Sequence, residues 1–592
     1  MDKKYGLLFL AMLCPTLFTG CSSEKEESPE SEEEEATGDI QLHILNVEDY
    51  IAEDTEDEES GETTYGVETL FEAYCKEVLG KDVNVVYETT DTPETMLMLL
   101  QTGRQYDLIC PSDYMIQRMG NEGLIEPLDL SLISTDKSFE YKPEGAEETV
   151  FEFETSDKDN YSNYSSRKVR EYLDNCFTDQ KCYEGKDADY ISSHPLAVGY
   201  MWGTLGILFN PEYGNFEAED TIKDMQTWDA FWNETYRNKS SVKDSMRDTF
   251  AVGVIHKYYE DFELNGAKNK GFKSLMNDYK EGNLTAEEYN AAIDRIFNMD
   301  ESYVGNKKDM ILNVLDDLHD LKKNIRGLEV DTGKNDIVNG YIGVNCAWSG
   351  DAVYSMELGE AADPSVELWY SVPEEGSNVW FDGWCMPKNE NRSATQKAMA
   401  MEFLNFLSSP AVAALNMEST GYTSFIGGDS ILEMVREWYD CRYDEEKEEF
   451  AEVDAAEIAA NVESGDWQEV DLSYFFEDTL VDYEEEDMKF YTNEDTGFYL
   501  PFKDDGNISC GGAFFCQYPD EAVINRCCVM KDFGEYNESI TKMWEQFKST
   551  TLEPWAFALL GLEVGAAISV GVYFFIKKRK KMALKAQRKN ID

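Results

Sequence analysis

The chain has 592 residues, with 52 Lys and Arg against 119 Asp and Glu, a formal net charge of −67. Hydrophobic residues make up 42% and aromatics 13%, which excludes a disordered acidic polymer, whose apolar content would be too low to offset the entropy of ordering. The charge also excludes nucleic acid as the main partner, since such a surface repels phosphate, and it favours partners that are cations.

Residues 1–20 read as an export signal: Lys3 and Lys4 start it, Gly6 to Leu13 is apolar, and Thr19-Gly20 precedes Cys21. A small pair followed by Cys-Ser-Ser resembles a bacterial lipobox, in which Cys21 becomes the lipidated N-terminus. Phe18 stands where leucine is usual, with Leu17 one step further out. The plain alternative is an ordinary signal peptide with a chance cysteine; lipidation is the favoured reading. Residues 21–39 contain EKEESPESEEEEA, a like-charge tract that reads as a solvated tether.

From Ile40 to about Leu132 strands and helices alternate. Leu42 to Asn46 is a short strand, Val67 to Leu79 a helix ended by Gly80, and Val83 to Glu88 a second strand. Thr92 caps a helix with Pro93 in its first position, stopping at Gly103. Tyr106 to Cys110 is a third strand, leading through Pro111-Ser112 into a helix from Asp113. This is the βαβ rhythm of a parallel sheet, whose ligands bind at the carboxyl ends of the strands. Asn46 to Tyr50 and Ser112 to Tyr114 are therefore at the candidate mouth.

Residues 134–194 are polar and irregular and read as an insertion. Alternation returns at Ala197 to Asn210, a helical stretch covers Asp261 to Gly327, and strand text resumes at Tyr341 to Asn345. Ser393 with Gln396 forms a capping box for a helix reaching Leu407. Residues 429–506 hold a second, acidic insertion. Trp555 to Ile576 is apolar except for Glu563 and is followed by KKRKK. About 20 such residues span a bilayer, and a basic flank marks the cytoplasmic side. The reading is a transmembrane helix at 555–576 and a cytoplasmic tail at 577–592, with the body outside the cytoplasm.

Of thirteen cysteines, Cys14 leaves with the signal and Cys21 carries lipid. Cys176 with Cys182, and Cys510 with Cys516, have spacings suited to small disulfide loops, while Cys110, Cys346 and Cys385 sit in apolar runs as packed thiols. Four scattered histidines and no paired CxxC motifs make a zinc site improbable, and no metal or cofactor is expected.

The stretch YETTDTPETMLMLLQTGRQYDLICPSDYMIQRMGNEGLIEPLD resembles the N-terminal lobe of the spermidine/putrescine-binding proteins of polyamine ABC importers. Further segments agree in order: GYMWGTLGILFN, TWDAFW, KDSMRDTF, NCAWSGDAVYSME, VWFDGWCMPKN, FLNFLSSPAVAALNMESTGYTS and YPDEAVINRCCVMKDFGEY. The resemblance implies an α/β, two-lobed, type II periplasmic-binding fold with ligand in the interlobe cleft. Lobe 1 would comprise residues 40–203 and 382–425, and lobe 2 residues 204–381 and 426–548. It also implies cleft residues: Asp49 and Tyr50, with Val47 in place of the family's tryptophan; Ser112 and Tyr114; Asp248, partnered by Ser245 or, with a slipped register, Asp244; and Trp348, Trp380 and Asp382. A late family glutamine aligns near Met530 and is lost.

Each ligand ammonium taken from water must be paired with a carboxylate, and its methylenes and charge favour aromatic faces, at roughly 0.5–2 kcal/mol per well-placed ring. Singly, each residue has a bland explanation. Asp248 suits the positive end of its helix, Trp348 and Trp380 suit a core, and Asp49 suits the acidic surface. Asp382 is more telling, because a lone carboxylate between large aromatics is costly unless it meets a cation.

The implied function is a membrane-tethered, non-enzymatic receptor that delivers polyamines to an ABC permease and its ATPase, neither of which is in this chain, as there is one span and no P-loop. Two alternatives stand: a receptor for another small cationic or organic solute, and an acidic, membrane-anchored surface protein without a small ligand. A hydrolase is disfavoured, since GxSxG and HExxH are absent.

Overall fold

A computed structural model describes residues 40–549, apart from 57–62, 134–137, 144, 147–148, 154–158, 178–179, 265, 364–365, 445–446, 448, 452, 481–487 and 494–509. The export signal, Cys21, the acidic tether, the apolar span 555–576 and the basic tail lie outside the described residues. Among the described residues no single helix is long and apolar enough to cross a membrane. The apolar helices Ala394–Leu407 and Pro410–Thr420 belong to the core, where Phe403 and Phe406 meet Phe71 edge-on.

The first sheet follows the βαβ expectation. Strand Ile40–Val47 lies between Val83–Thr90 and Leu108–Ile109, parallel to both. Its crossover helices are Val67–Glu77 and Pro93–Gln101, the latter opened by Thr92, whose hydroxyl accepts the Thr95 amide. Helix Asp113–Glu122 follows the third strand. The ladder continues beyond Ile109 through single antiparallel bridges, Ile109 to Cys385 and Ser112 to Asp382, and so reaches strand Ser377–Trp384.

The second sheet is larger and mixed. Its spine runs Gly327–Glu329, Ser240–Lys243, Val344–Trp348, Val198–Phe209, Trp369–Ser371, Cys510–Gly511. The strand expected at Tyr341–Asn345 thus lies three residues later, with Tyr341 exposed before it. Strand Val198–Phe209 is buried at all twelve positions, as a strand covered on both faces must be. Its first half pairs with Val379–Trp384 and Thr423–Ser424, its second with Val344–Trp348 and Trp369–Ser371.

The two insertions are more ordered than their composition suggests. Helix Arg167–Phe177 buries Val169, Leu173 and Phe177 at four-residue spacing. Between 429 and 493 lie helices Asp429–Tyr439 and Ala455–Ser464 and the hairpin Gln468–Asp471 with Lys489–Thr492, while Phe475, Phe476 and Phe490 join the core. The disulfide loops are not formed: all eleven cysteines among the described residues are free thiols. Cys176 instead ends its helix against Phe177, and the Cys516 thiol faces the Gly512 carbonyl at 3.4 Å. Helix Asn537–Lys548 lies almost wholly in a separate compact unit that begins at Glu538, with Ile540, Met543, Trp544 and Phe547 on one stripe.

Candidate ligand-binding site

The site is assembled where the first sheet's carboxyl ends meet strand Ser377–Trp384. That strand carries Trp380 and Asp382, and its register against Val198–Phe209 shifts between Asp382 and Gly383, skipping Tyr200. A bulge of this kind re-aims side chains. Here the Tyr200 hydroxyl donates to the Tyr50 carbonyl at 2.8 Å, and the rings of Tyr200 and Tyr50 meet edge to face at 5.4 Å.

Tyr50 thus fixed donates its hydroxyl to Asp382 Oδ2 at 2.7 Å. Asp382 Oδ1 is buried and has no hydrogen-bond partner among the described residues. Burial pushes the Asp382 carboxyl above the usual carboxylate range, and the hydroxyls of Ser112 and Tyr50 beside it work against that rise. The Trp380 indole nitrogen nearby is also buried without a partner.

Three expected residues therefore gather around Asp382: Tyr50, Ser112 and Trp380. Asp49 does not. It is exposed in a turn at φ 51°, while its neighbour Tyr50 is buried. Tyr114 donates its hydroxyl to Glu94 at 2.9 Å, and its ring is covered by the guanidinium of Arg247 at 3.8 Å.

Asp248 and Trp348 form a second group. Asp248 opens helix Asp248–Lys257, its amide donating to Ser245 Oγ at 3.2 Å, so Ser245 rather than Asp244 is its local partner. Burial raises the Asp248 carboxyl, opposed by Ser245, by Arg247 and Lys243, and by the Trp348 indole.

The sequence reading missed six residues that complete the wall: Tyr422, Lys243, Asp351, Glu329, Arg247 and Asp113. Tyr422 sits in the segment TGYTS and links the groups: its ring meets Tyr50 and Trp380, each at 5.5 Å, and its hydroxyl donates to Asp351 Oδ1 at 3.1 Å. Lys243 is buried with its ammonium 2.8 Å from Asp351, 3.2 Å from Glu329 and 4.2 Å from the centre of the Trp348 ring. Arg247 donates to the Met530 carbonyl at 2.6 Å. Asp113 is buried and its carboxyl is pushed up to about 7 by burial, with Arg247 opposing and Asp382 adding to the rise. Of these, all but Glu329 stood in segments already read as similar to the family; only their contacts were invisible.

Two glycines let the wall close. A Cβ on Gly203 would stand 2.7 Å from the Trp380 ring, and one on Gly350 would stand 2.4 Å from the Tyr422 ring. The outcome is five carboxylates (Asp113, Asp248, Glu329, Asp351, Asp382) against two cations (Lys243, Arg247), set among tyrosine and tryptophan rings. Among the described residues no cluster of His, Cys, Asp and Glu has metal-holding geometry.

Comparison with known proteins gives a consistent outcome. The Salmonella typhimurium spermidine/putrescine-binding periplasmic protein is 23% identical over 362 residues, covering 61% of this chain and 74% of the relative. The Escherichia coli putrescine-binding periplasmic protein PotF is 24% identical over 374 residues, covering 63% and 74%. Among solved structures, the spermidine/putrescine ABC transporter substrate-binding protein of Streptococcus pneumoniae aligns with TM-score 0.44 at 19% identity, over 86% of this chain and 98% of that one. A family described as bacterial extracellular solute-binding protein matches residues 69–428. That span is more than half of the chain and includes every aromatic and carboxylate of the wall except Tyr50, and the chain belongs to this family of bacterial extracellular solute-binding proteins.

Proposed function

We propose that the chain captures polyamines, spermidine or putrescine, in a cleft between two lobes outside the cytoplasm and passes them to an ABC permease with its ATPase. The observation that carries this reading is Asp382, whose Oδ1 is buried and bare while Oδ2 is held by Tyr50. A buried carboxylate oxygen without a donor costs free energy that an ammonium group would recover. The rings of Tyr50, Trp380 and Tyr422 beside it supply the apolar and cation–π surface an alkyl-ammonium ligand needs. The relatives named for spermidine and putrescine support the same substrate class.

The lobes on this reading are residues 40–203 with 382–425, and 204–381 with 426–548, so ligand closes them by bending where strands Val198–Phe209 and Ser377–Trp384 cross between them. Lipidation at Cys21 and a span at 555–576 would tie the body to the membrane at both ends. The acidic exterior, net −67, would concentrate polycations near the mouth. No bond is made or broken, and the protein is a receptor rather than an enzyme.

The test is calorimetric and thermal titration of the detergent-solubilised chain with spermidine, putrescine and neutral or anionic controls. Ligand at 100 times its dissociation constant stabilises the fold by about 2.7 kcal/mol. A saturable response to polyamines alone supports the reading. A response to a different cationic or organic solute replaces the ligand, and silence toward all of them leaves a surface protein without a small ligand.

A further inference from the structure

Lys243 ends strand Ser240–Lys243, and its side chain is held as a free ammonium ion would be held by a receptor. Nζ lies 2.8 Å from Asp351 Oδ2, 3.2 Å from Glu329 Oε1 and 3.0 Å from the Val330 carbonyl. Two of the ammonium's three donors make hydrogen bonds, to Asp351 and Val330, and Glu329 stands beside it as an ion pair. The same atom is 4.2 Å from the centre of the Trp348 ring. Two carboxylates, a carbonyl and an aromatic face are the surroundings that a polyamine's amine requires.

The group is not isolated from the site. Asp351 also accepts the Tyr422 hydroxyl, and Tyr422 packs on Tyr50, which donates to Asp382. From the bare oxygen of Asp382 to Lys243 the wall is therefore continuous through Tyr50, Tyr422 and Asp351. Tyr114 is treated alike, its ring covered by Arg247 at 3.8 Å. Two of the aromatic faces offered to ligand cations are already occupied by cations of the chain itself.

We propose that Lys243 is a built-in ammonium that fills one amine position of the cleft and thereby sets its selectivity toward diamines over triamines. This rests on the polyamine reading of the same site. Burial opposes the charge on Lys243, but Asp351 and Glu329 raise its pKa above the ordinary lysine value, so the position stays filled by a cation throughout the physiological range. A ligand bringing a third ammonium finds Asp351, Glu329 and one face of Trp348 already engaged. A diamine needs only the acids left over, Asp382 with its bare oxygen and Asp248.

The experiment is calorimetry of the full chain in detergent, with putrescine and spermidine as the two probes. The wild-type chain should bind putrescine at least about tenfold more tightly than spermidine. Lys243→Met vacates both carboxylates and should shift the ratio of the two affinities toward spermidine by about tenfold or more. Because a buried acid pair stripped of its cation can hinder folding, a second variant, Lys243→Gln with Glu329→Gln, leaves only Asp351 vacant and should shift the ratio in the same direction. A wild type that binds spermidine as tightly as putrescine overturns the proposal, as does a folded variant whose ratio is unchanged. A wild type that binds neither amine overturns the polyamine reading, and this proposal with it, so the two failures are told apart.

Discussion

The hydroxyl of Tyr50 and the carboxylate of Asp382, 332 residues apart in the chain, meet at 2.7 Å and leave the second carboxylate oxygen buried and bare. One oxygen is thereby fixed in place while the other waits for a donor. Asp382→Asn should weaken polyamine binding by roughly 10- to 100-fold, the loss of about 1.5–3 kcal/mol expected for a hydrogen bond to a charged group. The unliganded variant should melt no lower than the wild type, since a poorly paired buried charge has been removed. Calorimetry with parallel melting curves checks both, and wild-type affinity in the variant would place the amine elsewhere.

Gly350 offers a way to disturb the wall without touching a ligand-facing group. Its Cβ would stand 2.4 Å from the Tyr422 ring, so Gly350→Ala must turn that ring away from Tyr50, Trp380 and Asp351. Overpacking of this kind costs about 1–3 kcal/mol. We expect polyamine affinity to fall about tenfold in Gly350→Ala, and much less in Tyr422→Phe, which keeps the ring and loses only the bond to Asp351. Equal losses in the two variants would show that the hydroxyl, rather than the ring, matters.

Asp113 provides a pH signature. Burial is the main cause that pushes its carboxyl up to about 7, whereas an unfolded aspartate titrates near 3.9. The native state therefore holds a proton that the unfolded state releases. The stability this contributes is fully present below about pH 4 and is lost as pH rises through about 7. Glu375, also buried and pushed up to about 7, acts in the same sense. The melting temperature of the unliganded chain should decline between pH 5 and 8 on their account, and Asp113→Asn should flatten part of that decline. An unchanged slope in the variant would show that Asp113 is ionised throughout.

The thiols make a simpler prediction. All eleven described cysteines are free, and burial holds thiols such as Cys110 and Cys385 well above their ordinary pKa. The eight fully buried ones should resist alkylation in the native state and react once the chain is denatured, and a reductant should leave the melting temperature unchanged. A fall in melting temperature on reduction would reveal a disulfide.

What could be read from the sequence was local. Thr92-Pro93 and the Ser393–Gln396 box are satisfied within one helical turn, and both form as expected. Tyr50, Ser112, Trp380 and Asp382 could be singled out because they stand in short local motifs, one of which departs from the family's pattern at Val47. The pairing of Lys243 with Asp351 was not reachable, since its partner lies 108 residues away and nothing in KDSMRD distinguishes a buried lysine from a solvated one. Helix Arg167–Phe177 was hidden because only Val169, Leu173 and Phe177 among its eleven residues are buried. Asp49 stands exposed in a turn while its neighbour Tyr50 is buried, a difference that adjacent residues of one short motif do not reveal.

Strand Val198–Phe209 divides its length between two sets of partner strands, Val379–Trp384 with Thr423–Ser424 on one side and Val344–Trp348 with Trp369–Ser371 on the other. Neither side can then be cut out whole, because either fragment would lose hydrogen-bonding partners from the middle of its own sheet and expose an apolar edge. The two halves must be made, kept and lost together, as one cooperative unit whose folding waits for Trp384 and Ser424, some two hundred residues down the chain, to close against the strand's first half.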